Sequence, residues 1–146
     1  MGRLREIREA AMQLLFASEL HGELRPEDCE AFWTLHSAKP AIRNSAESLA
    51  RDILAHLPET DEAIAGALQN FSFERLNNVD RNILRLAVYE LMHKPDVPVR
   101  VAINEAIEIA RRFATEDSAK LVNGVLDRIA RTVRTESTPP ISKPAN

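Results

Sequence analysis

The stretch from Val79 to Ile129 constrains the fold of this chain more than any other. It reads VDRNILRLAVYELMHKPDVPVRVAINEAIEIARRFATEDSAKLVNGVLDRI, with apolar residues recurring every three or four positions. That spacing lines them up on one face of a helix, which turns every 3.6 residues. Val79, Ile83, Leu86, Ala87 and Leu91 form the first stripe. Lys94-Pro95-Asp96-Val97-Pro98 ends it, because proline donates no backbone hydrogen bond and its ring clashes with helical continuation. Val101 to Phe113 is the second helix, with Ile103, Ala106, Ile107 and Ala110 inward. The third starts at Asp117 or Ser118, either of which suits a cap, and turns Val122, Val125, Leu126, Ile129 and Val133 to the core.

The rest of the chain follows the same period. A first helix runs from about Arg3 to Leu20, with Leu4, Ile7, Ala11, Leu14, Leu15 and Ser18 on one face and Gly22 as its stop. Pro26, followed by Glu27 and Asp28, opens a second helix carrying Phe32, Trp33 and Leu35. SAKPAIRN reads as a connector. A third helix turns Ala46, Leu49, Ala50, Ile53 and Leu54 inward and ends near Pro58, and a fourth spans Thr60 to Leu68. NFSFERLNN makes a turn or short helix. No run alternates with period two for long enough to form a strand, so the fold class is all-α, a helical bundle. A chain of 146 residues suits one domain, here residues 1–134. Thr135 onward, TESTPPISKPAN, has no apolar period and three prolines, and is expected to be a disordered tail over 135–146.

Composition narrows the function. The single cysteine, Cys29, has no partner for an internal disulfide and sits among acids that raise its pKa, so neither a disulfide framework nor a reactive thiol is expected. His21, His36, His56 and His93 stand apart along the chain, without a metal-binding neighbour at helical spacing. Four scattered glycines form no phosphate loop or dinucleotide fingerprint. No catalytic residue, metal or cofactor is therefore expected, and the chain does not read as an enzyme. No apolar run reaches the roughly 18 residues of a membrane span, and Arg8, Glu9 and Gln13 break the first segment as a signal peptide. A soluble, cytoplasmic protein is expected.

The net charge of −3 hides an uneven distribution. Ten acidic residues lie between Glu19 and Glu62, against Arg25, Lys39, Arg43 and Arg51. From Arg100 to Arg134 seven basic residues face five acidic ones. A chain so polarised has the means to offer a basic face to phosphate while staying acidic overall. Two places stand out. Arg5 and Arg8, with Arg3 nearby, share the first helix, and an arginine fork donates two parallel hydrogen bonds to phosphate. Alternatively they pair with Glu6 and Glu9 on a solvated face. Asp117, Ser118 and Lys120 surround a helix start, where outward N–H groups and the dipole favour anions. The plainer reading there is an ordinary cap beside an exposed lysine. Asn123-Gly124 within a helix suggests close helix–helix packing. Asn104-Glu105 and Tyr89-Glu90 suggest an internal hydrogen-bond network.

Taken jointly, VDRxILRLAxYEL, VPxxVAINEAIEIA, EDSxKxVNGVLD and the REAAMQLLF segment from Arg8 to Phe16 resemble the NusB family of transcription antitermination factors. The resemblance spans roughly Arg3 to Arg134. It implies a bundle of about seven helices in two packed subdomains. It further implies binding of boxA RNA in nascent ribosomal RNA transcripts together with the ribosomal protein NusE, and loading onto the RNA polymerase elongation complex with other Nus factors. Carried over by position, the RNA-contacting residues are Arg3, Arg5, Arg8, Asp117, Ser118 and Lys120. Leu4 and Glu6 stand where some members have arginine, and Leu121 where an aromatic often follows the lysine. Asp80, Arg81, Leu84 and Tyr89 match the helix that meets NusE. A homodimer and a monomer are equally open.

Two other readings compete. One is a helical protein–protein adapter that does not bind RNA. The other is a relative of the helical domain that precedes certain ribosomal RNA cytosine methyltransferases. Against the second, no S-adenosylmethionine glycine loop follows the bundle.

Overall fold

The structure, a computed structural model, describes residues 2–134, which form seven α-helices and no strand. These are α1 (Gly2–Ser18), α2 (Pro26–Leu35), α3 (Pro40–Leu54), α4 (Leu57–Ala67), α5 (Asn78–His93), α6 (Val99–Phe113) and α7 (Glu116–Val133). A single 3₁₀ turn, Phe73–Arg75, links α4 to α5. The tail expected from Thr135 lies outside the described residues.

Helix α5 is the axle. Asn77 caps it by accepting the Asp80 N–H at 2.9 Å, and Pro95 and Pro98 follow its end. The sequence pattern predicts one buried stripe, yet from Asp80 to Leu91 only Arg81 escapes burial. The reason is that α1, α3, α4, α6 and α7 all pack against it. Ile83, Leu84, Leu86, Val88 and Leu91 therefore face apolar neighbours all round, each contributing about 1.5–3 kcal/mol of burial. Two groups of helices meet here: α1 packs on α2 and α3, while α7 packs on α4 and α6 and all three pack on α5.

The seam between the groups is laced with charge. The Arg5 guanidinium donates through Nε and Nη2 to Glu105 on α6, both at 2.9 Å. Arg8 reaches Glu90 on α5. Glu19, just past α1, accepts from Arg81 Nη2 at 2.8 Å, Asn82 at 3.1 Å and Arg85 at 3.0 Å. Arg85 also makes a two-pronged pair with Asp61, each bond 2.8 Å. A helix buried on all sides that carries Asn82, Arg85 and Glu90 needs such partners, because an unpaired buried charge is costly.

Several local expectations need correcting. Leu4 is 59% exposed and takes no part in the inward face of α1. The helix ends at Ser18, not Leu20; the Gly22 N–H then bonds the Ser18 carbonyl at 2.8 Å from a left-handed φ of 74°, which suits glycine. SAKPAIRN is not all connector, because Pro40 occupies the first turn of α3. The cap of α7 is Thr115, whose hydroxyl accepts the Ser118 N–H at 3.0 Å, in place of Asp117 or Ser118. Gly124 is not a close-packing site: a Cβ there would meet only Arg128 Nη1 at 3.7 Å, and Asn123 is exposed. Nothing in the structure explains that glycine.

Candidate nucleic-acid interface

The three N-terminal arginines separate into different environments. Arg3 is exposed and makes no ion pair among the described residues. Arg5 is part-exposed but turned towards Glu105, which holds that carboxyl below its ordinary range, first through the hydrogen bond from Arg5. Arg8 is buried, its side chain 8% exposed against 7% for Glu90. Burial pushes the Glu90 carboxyl up, with Arg8 pulling the other way. The structure thus holds the Arg8 guanidinium in a buried ion pair and does not set it on the surface beside Arg3. The alternative pairing with Glu6 and Glu9 is corrected, because both partners lie on other helices. Their separations of 100 and 82 residues hide them from any local reading.

At the start of α7, Asp117 and Lys120 are exposed, whereas Ser118 is buried beneath the Thr115 cap. Ser118 therefore offers its backbone to the cap and little to a ligand. Leu121 packs partly against the core. Aromatic surface lies elsewhere. A cleft of about 270 Å³ is lined by Glu6, Glu9 and Gln13 of α1, Phe32, Trp33 and His36, and Arg112 and Phe113 of α6. Arg112 is 68% exposed; its guanidinium carbon sits 5.5 Å from the Phe113 ring centre, and Glu9 lies at 3.7 Å. A second cleft, of about 630 Å³, is lined by Arg3, Glu6, Lys39 and Ile42 among others. Both clefts share Glu6, so they adjoin along one side of α1.

Phe113 leads through Ala114 directly to the Thr115 cap, so Arg112 of the smaller cleft precedes the exposed Asp117 and Lys120 by only a short stretch of chain. Lys39, Trp33, Arg112 and Phe113 line these clefts, and none of them is a site residue expected from the sequence. Lys39 lies in a segment that reads as connector, and Arg112 among alternating charges on a helix face. Cations beside aromatic rings are what a single-stranded nucleic acid needs, phosphate attraction and a surface for base stacking.

A family model described as the NusB family matches residues 5–131. The chain belongs to the NusB family. It is 43% identical over 133 residues to the transcription antitermination protein NusB of Sorangium cellulosum, covering 91% of this chain and 95% of that one. Its fold is similar to that of T. maritima NusB, with a TM-score of 0.76 and 38% identity over 90% of this chain and 94% of that one. It is also similar to the structure of the antitermination factors NusB and NusE in complex with double-stranded RNA, with a TM-score of 0.79 and 28% identity over 90% of this chain and 98% of that one.

Within this NusB-family chain, the residues expected to meet NusE are placed mostly inside. Leu84 is fully buried and Tyr89 nearly so, which leaves neither a surface for a partner in this conformation. Asp80 is buried beside the Asn77 cap, accepting from the Asn77 amide at 3.2 Å. Arg81 is half-buried and engaged by Glu19, the Leu76 carbonyl and Asn78. In the free chain these four thus serve helix packing and capping, with Arg81 the least buried of them.

Proposed function

We propose that this chain is a transcription antitermination factor: it binds boxA RNA of nascent ribosomal RNA transcripts together with NusE and joins the RNA polymerase elongation complex with other Nus factors. The observation that carries the reading is family membership across residues 5–131, with antitermination proteins as relatives. The structural neighbour solved with NusE and RNA supports both partners. The protein acts as an adapter that positions RNA, not as an enzyme. Work on a nascent transcript supports a cytoplasmic location. No helix among the described residues is long and apolar enough to cross a membrane.

The RNA runs along the strip from Arg3 and Lys39, past Arg112, to Asp117 and Lys120. The exposed cations neutralise phosphates, while Trp33 and Phe113 offer ring surface in place of the aromatic absent at Leu121. Arg5 contributes partly, because its fork is already held by Glu105. Buried Arg8 positions α1 and touches no RNA.

The test is equilibrium binding of boxA RNA and of a scrambled RNA of equal length, each with and without NusE. Tighter binding of boxA when NusE is present is expected. Equal affinity for the two RNAs overturns the assignment.

A further inference from the structure

The four histidines stand apart in sequence, but the fold brings two of them together. His56 precedes α4 and His93 ends α5, and their rings lie 4.3 Å apart between centres. Glu59, in the first turn of α4, points its Oε1 at His93 Nε2 from 3.0 Å. One ligand atom from each of the three residues lies within 4.8 Å of the others. The Tyr89 ring backs the pair, 5.6 Å from His56 and 5.2 Å from His93.

The hydrogen bond at His56 decides how its ring is used. His56 Nδ1 sits 2.8 Å from the Asp52 carbonyl oxygen, which only accepts, so Nδ1 carries the proton. In the neutral ring the lone pair is then left on Nε2. An imidazole that donates one N–H to a carbonyl while offering its other nitrogen outward is the usual arrangement of a metal-binding histidine. We propose that His56, Glu59 and His93 form a site for a divalent transition metal of the zinc type, which clips the start of α4 to the end of α5. Two imidazoles and one carboxylate are a ligand set that zinc accepts, with the fourth position left to water. Zinc–ligand bonds of about 2.0–2.2 Å require the three atoms to draw closer together. Glu59 is exposed and His93 partly so, and rotation of their side chains supplies that movement. The same exposure gives the ion its entry path.

The site is tested by calorimetric titration of the untagged full chain with zinc chloride, in a Cys29→Ser background so that the thiol takes no part. One saturable site is expected. His93→Ala and His56→Ala should each weaken zinc binding at least tenfold, while His21→Ala and His36→Ala leave it unchanged. Glu59→Gln, at an exposed position where folding is not at stake, should weaken it severalfold and serves if a histidine variant fails to fold. Cobalt(II) should give the visible absorption of a low-coordinate ion in the parent chain and lose it in the variants. No saturable zinc binding, or binding that survives both Glu59→Gln and His93→Ala undiminished, overturns the proposal.

Discussion

Arg8 and Glu90, 82 residues apart in sequence, face each other inside the protein, with Arg8 Nε lying 2.9 Å and 3.2 Å from the two carboxylate oxygens. This pair fixes α1 against α5. Removing one partner strands a charge that has little water around it. Arg8→Ala is therefore expected to lower stability by about 3–5 kcal/mol in urea unfolding, whereas Arg8→Met combined with Glu90→Met restores most of the loss. At concentrations where the variant remains folded, the salt dependence of RNA binding should stay as in the parent. A shallower slope would place Arg8 at the RNA after all.

The exposed cations should behave in the opposite way. Lys39→Ala, Arg112→Ala and Lys120→Ala are each expected to leave unfolding nearly unchanged. Every phosphate deprived of its cation should lower the slope of log K against log salt by about 0.7 for single-stranded RNA. Trp33→Ala and Phe113→Ala should weaken binding through lost stacking, about 1–3 kcal/mol per base, with the salt slope unaltered. Both rings are half-buried, so melting curves accompany this measurement. Affinity unchanged in all five variants would remove this strip from the interface.

Capping and binding at the start of α7 are separable. Thr115→Ala should cost about 1 kcal/mol, because its hydroxyl satisfies the Ser118 N–H. Asp117→Ala combined with Lys120→Ala leaves that cap intact. The double variant should melt close to the parent and bind RNA more weakly. A large fall in melting temperature in the double variant would show that the cap depends on those side chains.

The carboxylates of the seam act on acid stability with opposite signs. Glu105 is held below its ordinary value of 4.5, first by the hydrogen bond from Arg5. Burial raises Glu19, but hydrogen bonds from Arg81 and Asn82 and the charges of Arg81 and Arg85 leave it lowered as well. For both, the unfolded chain binds the proton more tightly. Their contribution is present above about pH 4.5 and is lost as pH falls through the folded values. Glu90, raised mainly by burial, runs the other way: its contribution is present below its unfolded value and lost as pH rises through the folded one. Glu105→Gln and Glu19→Gln should flatten the acid limb of stability against pH, and Glu90→Gln should steepen it. Unfolding free energies between about pH 3 and pH 6 provide the check. Identical slopes in all three variants would contradict these charge assignments.

The helices are legible in the sequence because an aliphatic period is a local signal, and α5, α6 and α7 each repeat it within one or two turns. The all-round burial of α5 is not, since Leu84 and Val88 lie off its obvious stripe and are enclosed only once the other helices assemble around α5. Asn104-Glu105 and Tyr89-Glu90 suggest an internal network. The structure gives Glu105 and Glu90 that role, while Asn104 is exposed. The basic residues mislead where their partners are distant. Arg5 and Arg8 look alike three positions apart, and only tertiary packing makes one part-exposed and the other enclosed. Lys39, Trp33 and Arg112 come from three separate segments, so no spacing could join them.

Because α5 is walled in by helices from both ends of the chain, the proposed binding strip has no modular existence. Its cations are drawn from Arg3 to Lys120, and each half of the protein alone would expose the apolar wall that now encloses α5. A shorter peptide carrying either end would inherit charge without shape. The surface and the core are in this sense one heritable unit: a lineage cannot keep the strip while discarding the axle beneath it.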